Sequence, residues 1–398
     1  MCLSILHLYD RKINLPNNVY FYYFEECDLM TRVNSMFRTG HFKLGLFSPN
    51  CSGGMAITNV KERWRASWQD NLKLARLADE KGLEFLLPIA RWVGYGGDTN
   101  FQGESLETIT WATGLLPETS KINIFATAHT AFFHPLVAAK QFATMSHISE
   151  GRFGLNIVCG WNKPEYDMFG LKLSDSHIDR YRYGQSWFDL IQKSWLSNRP
   201  FDWDDEFFNV RNVVSSPKLF ADQLPPVMNA GSSEEGKQFA ARNCDFLFTV
   251  MLDIESGRQI VQSVKEQARR QYKRDIEIFT TTYVVCRPTM KEAQEYHHYY
   301  AVEKADSEAV EKLMSLMGMH AHSFPRDQID SLKTQFAAGH GVYPLVGDPD
   351  FVSSEIEKIA GSGFSGASLA FVDYLAELPF FADEVIPRLT AKGIRLSV

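Results

Sequence analysis

Residues 147–170, HISEGRFGLNIVCGWNKPEYDMFG, decide the fold. The stretch opens as the end of a helix that Glu150 and Gly151 close, because glycine takes left-handed backbone past a helix end without a steric penalty. Arg152 then turns the chain into Phe153-Gly154-Leu155-Asn156-Ile157-Val158-Cys159. This run is apolar at nearly every position, as a parallel strand covered on both faces must be. Asn156 is the exception, and a buried amide without a partner costs about 1–3 kcal/mol. The strand empties into Gly160-Trp161-Asn162-Lys163-Pro164-Glu165-Tyr166, a loop of groups that bind rather than pack. Ligands of parallel α/β folds sit at the carboxyl ends of the strands, so a site is expected here.

The same alternation extends in both directions. Upstream, strands are expected at 43–47, 83–87 and 122–127, with helices at 63–81, 105–119 and from Pro135 to Ser149. Gly-rich or flexible loops follow the first two strands, at 49–54 and 91–97. Downstream, a helix at 178–195 and a hairpin at 201–213 precede strands at 226–229, 245–248, 276–286 and 366–371. A helix follows Gly347-Asp348-Pro349, and the last one runs from Pro379 to Leu389. Residues 304–342 break the rhythm and read as a helical insertion or lid. Eight strand–helix units close most naturally into an α/β TIM (β/α)8 barrel, a single domain over residues 42–398.

Composition sets the bounds. Apolar residues at 45% and charged residues at 22% are ordinary for a globular protein. A net charge of −7 argues against a general nucleic-acid binder. The six cysteines form no CxxC pair and no zinc spacing, which suggests reduced thiols in a cytoplasmic protein. No apolar run is long enough to cross a membrane. Residues 1–41 stand apart, with the aperiodic aromatic run Val19-Tyr20-Phe21-Tyr22-Tyr23-Phe24. They read either as a surface arm or as sequence upstream of a native start at Met30 or Met36; the second reading is preferred, and no function is placed there.

Pattern alone points to an anion site and no metal. Ser232 and Ser233 after Gly231 would bring hydroxyls and backbone N–H groups to a helix N-terminus, a natural phosphate seat, although on the residues alone plain N-capping is the preferred reading. Arg180 and Tyr181 at another helix start add a charged donor and a phenol, with a surface ion pair as the plain alternative for Arg180. Thr127 is ordinary in a strand. His129 and His134 read first as satisfied core or loop histidines, and Cys159 as a small packing residue. His297-His298 point to different helix faces and make a poor metal pair.

At these residues the chain resembles the bacterial-luciferase-like family of flavin-dependent monooxygenases. Within that family it is most similar to pyrimidine (uracil ring-opening), dimethylsulfone and alkanesulfonate monooxygenases. The likeness lies in Ser149 through Trp161, Lys163-Pro164-Glu165-Tyr166, Arg180-Tyr181, Asn229-Ala230-Gly231-Ser232-Ser233, Gly94-Tyr95-Gly96-Gly97 and Ala126-Thr127. It implies a barrel that takes reduced FMN from a separate NAD(P)H:flavin reductase, with dioxygen and a small-molecule substrate. Ala90, Arg91, Asn156 and Glu165 match flavin-contacting positions. Arg180, Tyr181 and Ser233, with Ser232 adjacent, match those that hold the phosphate and ribityl chain. Thr127 and Asn156 match the pair that positions dioxygen in the pyrimidine enzymes.

Arg91 stands where those enzymes carry lysine, and residues 50–54 resemble the first loop of the sulfone enzymes. The family's habit implies a homo-oligomer, dimer or tetramer. The absence of GxGxxG after a strand fits a borrowed reductant. Three alternatives stay open: a deazaflavin-dependent dehydrogenase on the same barrel, a non-catalytic flavin-binding protein, and a barrel hydrolase or aldolase.

Overall fold

The computed structural model describes residues 34–38, 40–319 and 326–396. Its strands are β1 Lys43–Phe47, β2 Phe85–Leu87, β3 Asn123–His129, β4 Phe153–Val158, β5 Phe201–Asp204, β6 Asn209–Val213, β7 Val227–Asn229, β8 Phe246–Thr249, β9 Glu277–Cys286, β10 Tyr343–Gly347 and β11 Gly366–Ala370. Pairing is parallel from β1 through β2, β3, β4, β7, β8, β9 and β11, then back to β1. That closed ring of eight is a TIM barrel, and β5 with β6 forms the expected hairpin outside it.

Helices fill the connections: α1 Trp68–Glu80, α2 Thr108–Leu115, α3 Pro135–Ile148, α4 Lys163–Met168, α5 His177–Leu196, α6 Glu234–Asn243, α7 Ile254–Gln267, α8 Met290–His298, α9 Ser307–Leu316, α10 Arg326–Gly339, α11 Pro349–Gly361 and α12 Tyr374–Ala391. Besides α2, which starts at Thr108 instead of 105, two start five residues from their expected positions. Periodicity placed the start of α1 at residue 63, but Ala66 is left-handed and Ser67 caps the helix by accepting from the Asp70 N–H. The last helix begins at Tyr374 under an Asp373 cap and carries Pro379 inside it.

One strand has no counterpart in the sequence reading. β10 pairs only with the upper half of β9, from Tyr343 against Thr282 to Gly347 against Cys286. It is an extra edge strand outside the ring, where Pro344 withholds no ladder bond that a central strand would need.

Alternate strand residues fill the barrel, and size is matched in pairs. Phe85, Phe125, Phe246 and Phe279 occupy its interior, with ring centroids 5.5 Å apart for Phe85–Phe279 and 5.0 Å for Phe246–Phe279. The space comes from glycines: a Cβ on Gly45 would meet the Phe85 ring at 2.5 Å, and one on Gly154 would meet Phe125 at 2.7 Å. The strands' other faces, with Leu44, Ile124, Leu155 and Leu247, pack against the helices.

The floor is sealed from outside the strands. Residues 34–38, grouped above with the N-terminal extension, are part of the compact body, which starts at Asn34. Met36 is wholly buried among the barrel's interior phenylalanines. Asn34 Nδ2 donates to Gly151 O at 2.9 Å, and Asn123 Nδ2 donates to Ser35 Oγ at 2.6 Å. The extension up to residue 33 lies outside the described residues. At the same end Arg395 forks onto both carboxylate oxygens of Glu84, at 2.8 Å each, tying the chain's last segment to β2.

Truncating the floor residue tests this. Met36→Ala is expected to cost about 2–5 kcal/mol in urea unfolding of the full chain; an unchanged midpoint would show that the barrel closes without it.

Candidate active site

The loop after β2 carries Ala90 and Arg91, and a residue from the loop after β1 fixes it. Asn50 is fully buried; its Nδ2 donates to Ile89 O at 2.8 Å and to Leu106 O at 3.0 Å, while its Oδ1 accepts from Ile89 N at 2.9 Å. Sequence reasoning took Asn50 only as part of a flexible loop, because three bonds to distant backbone leave no local pattern. With the loop so held, Arg91 turns inward. Its Nη1 donates to Glu165 Oε1 at 2.8 Å and its Nε to Gln102 Oε1 at 3.3 Å. The guanidinium lies 4.9 Å from the Tyr95 ring centroid and 5.4 Å from that of Trp161. Glu165 Oε1 also accepts from the Trp92 N–H at 3.0 Å. The pair is buried on both sides, 4% and 1% exposed.

That charge shapes its neighbours. His129 Nδ1 is 3.9 Å from Glu165 Oε2, a distance that would suit an imidazolium. Burial, and then the Arg91 charge, push His129 down to about 3, so it is neutral and the contact is not an ion pair. His340, set edge-on to Phe101 at 5.6 Å, is pushed to about 3 by the same two causes.

Thr127 and Asn156 stand side by side in the β3–β4 register. The Thr127 hydroxyl donates to Pro88 O at 2.7 Å and accepts from Asn156 Nδ2 at 3.1 Å. With its proton committed to Pro88, the hydroxyl can offer Asn156 only a lone pair, and this sets the amide's orientation. Asn156 Oδ1 is left buried with no protein partner.

A second cluster lies at the start of α6. Asn229, ending β7, donates to Ile157 O at 2.7 Å and accepts from Gly231 N at 3.0 Å. The Tyr181 hydroxyl rests on this turn so closely that a Cβ on Gly231 or Gly236 would come within 2.3 or 2.6 Å of it. Ser233 Oγ caps α6 by accepting from Gly236 N at 3.1 Å, and Ser232 beside it is exposed. Arg180, in the first turn of α5, donates to Ser174 O at 3.1 Å. The Glu235 carboxyl is held below its usual range, first by a helix-start N–H and also by Ser233, His177 and Arg180. The field at this helix end therefore favours an anion.

Ala90, Arg91, Thr127, Asn156 and Glu165 thus gather at the carboxyl ends of β2–β4, and Arg180, Tyr181, Ser232 and Ser233 gather around the α6 start. The remaining candidates fall away. His134 caps α3. Cys159 packs against Gly184, and burial pushes its thiol well up. His297 stacks on Tyr283 at 5.7 Å. No cluster of three metal-ligating side chains exists among the described residues. Within 304–342, Asp306 accepts from Thr99 N at 2.8 Å and Thr99 Oγ1 at 2.7 Å, pinning the base of α9 to the Gly-rich loop after β2.

Residues 42–366 match the profile of the luciferase-like monooxygenases. The chain belongs to that family. This luciferase-like monooxygenase is 29% identical over 355 residues to pyrimidine monooxygenase RutA of Acinetobacter baylyi, an alignment covering 88% of this chain and 95% of that one. Its fold superimposes on long-chain alkane monooxygenase LadA with a TM-score of 0.81 at 18% identity, covering 90% and 94% of the two chains. DmoA from Hyphomicrobium sulfonivorans gives 0.80 at 18% identity, covering 89% of each. No helix among the described residues is long and apolar enough to cross a membrane.

The neutral histidines of this luciferase-like monooxygenase predict its acid behaviour. An unfolded histidine takes its proton near pH 6.5, whereas folded His129 and His340 hold out to about 3. Between those values the unfolded chain binds more protons, so the stability present above pH 6.5 is lost as pH falls, by up to about 1.4 kcal/mol per pH unit per histidine. Unfolding free energies from pH 7 to 5 should fall less steeply in His340→Gln; identical slopes would mean that His340 titrates normally.

Proposed function

We propose that this chain is the oxygenase component of a two-component monooxygenase, using reduced FMN delivered by a separate NAD(P)H:flavin reductase and dioxygen to oxygenate or cleave a small organic substrate. The substrate classes are a pyrimidine-like heterocycle, as the name of the RutA relative has it, or the sulfone or sulfonate that the sequence resemblance implies. The observation that carries the reading is Asn156 Oδ1, a buried acceptor with no protein donor, on the strand β4 that leads into the helix carrying Glu165. Such an acceptor suits an N–H, which a reduced flavin ring carries and the oxidised ring lacks at the same nitrogen.

The chain's residues divide the work. Arg180, Tyr181, Ser232 and Ser233 would hold the phosphate and ribityl chain, combining a charged donor with the positive end of the α6 dipole. Ala90 and Arg91 would flank the ring system, with Glu165 holding the guanidinium in place. Bound FMN supplies the reducing electrons and the reactivity toward dioxygen. Thr127 and Asn156 would orient dioxygen beside the ring, and Phe47, Leu87 and Phe248, which share the barrel interior with them, would keep the space apolar and water out. The helices of 304–342, pinned through Asp306, would cover the mouth. A dimer or tetramer in the cytoplasm fits the family's habit.

The test is reconstitution: protein, FMN, a flavin reductase, NADH and air with uracil, dimethyl sulfone or methanesulfonate, following which substrate disappears. Arg180→Ala should weaken FMN binding about 10- to 100-fold. Asn156→Ala should bind FMN nearly as well as the parent but lose about 100-fold in turnover. Failure of the parent protein to bind reduced FMN, or full turnover in Asn156→Ala, would sink the proposal.

A further inference from the structure

The groups assigned above all lie on one half of the barrel mouth, from β2 through β4 to β7. The other half carries its own buried polar pair. Thr281 on β9 and Ser368 on β11 are register partners, 1% and 0% exposed, and neither hydroxyl has a protein partner. Both face inward: Thr281 shares the face of Phe279, an interior residue, and Ser368 lies between Ala367 and Leu369, which pack outward. In a ring of eight, β9 stands opposite β3 and β11 opposite β4. Following the pairing from Thr127 through Asn156, Met228 and Phe246 reaches Glu277, below Thr281 on the same face of β9. Half a turn of the TIM-barrel stagger makes up that interval, so Thr281 stands level with Thr127 across the barrel, and Ser368 level with Asn156.

Buried hydroxyls without partners are rare in folded proteins, and two adjacent ones on an inward face call for a ligand. The groups proposed above to hold FMN leave this half of the mouth unused. The charges nearest this half are compensated: Lys43, the cation of neighbouring β1, points to the floor and is tied to Glu277 at 2.8 Å, and Arg287 beyond the end of β9 is tied to Glu377 at 2.8 Å.

We infer that Thr281 and Ser368 are the substrate-recognition pair, two hydroxyls that receive the hydrogen-bonding edge of a small uncharged substrate, a carbonyl, amide or sulfonyl group. This rests on the flavin reading above, since it assigns the substrate to the half of the mouth that the cofactor leaves. A hydroxyl can donate or accept, so the pair can satisfy an edge of either polarity.

The experiment compares the full-length parent with Thr281→Val and Ser368→Ala. It measures FMN affinity, binding of uracil and of dimethyl sulfone to the FMN-loaded proteins, and the melting temperature without ligand. The expected result is FMN affinity within about twofold of the parent and binding of uracil or dimethyl sulfone weakened about 10-fold. The melting temperature should stay unchanged or rise, because each variant deletes a buried polar group that satisfies nothing in the protein. A lower melting temperature would assign the hydroxyls to structure, for instance to a buried water, and overturn the inference. So would unchanged binding of both probes, FMN affinity falling in parallel, or a parent protein that takes FMN but neither probe. A parent that takes no FMN would instead sink the flavin reading, and the substrate pair with it.

Discussion

The mouth of this barrel is organised by one buried ion pair, Arg91 on Glu165. Taking both charges out of water costs several kcal/mol each, which their attraction recovers only when geometry and further hydrogen bonds are good. Here they are: Glu165 also takes the Trp92 N–H, and Arg91 also reaches Gln102 and lies on Tyr95 and Trp161. The pair joins the loop after β2 to the helix after β4, elements that the barrel's strand ladder does not connect at that height. Its cation also adds to what burial does to the protonation of the histidines around it. His129 and His340 are neutral because they are buried beside a cation. Cys51, where burial outweighs the same cation, is pushed up to about 11. The result is a compensated charge pair flanked by neutral histidines and a neutral thiol, a setting suited to a flat, partly apolar ring.

Much of this was legible in the sequence, for identifiable reasons. β4 was readable because a strand covered on both faces must be apolar throughout, and Asn156 was conspicuous as the violation. The glycines at 45 and 154 make room for phenylalanines on neighbouring strands, but their partners are visible only in the fold. The α6 start was readable because Ser233 followed by Glu234 and Glu235 is a local capping signal. β10 was not, because Tyr343-Pro344-Leu345-Val346-Gly347 pairs on one side only and tolerates a proline that a central strand would exclude.

The parts of the mouth that escaped the sequence share one property. Asn50 and Gln102 bond, and His340 packs, across segments far apart in the chain, and Thr281 and Ser368 meet only through the β9–β11 register, so none sits in a local motif. Arg91 and Glu165 were singled out only by resemblance, and nothing in their spacing reveals that each is the other's partner. The floor was misdrawn for a related reason: Met36 sits in an aperiodic segment, yet its side chain completes the interior phenylalanine cluster.

The most direct measurement is a double-mutant cycle on Arg91→Met and Glu165→Gln, read both as unfolding free energy and as affinity for reduced FMN. If the pair sets the mouth, each single change leaves an uncompensated buried group and costs about 3–5 kcal/mol. The double variant should recover most of that stability while its FMN affinity stays lost, because the Arg91 guanidinium is still missing beside the ring. A double variant that binds reduced FMN as tightly as the parent would show that the flavin sits elsewhere, and the account of this mouth would be wrong.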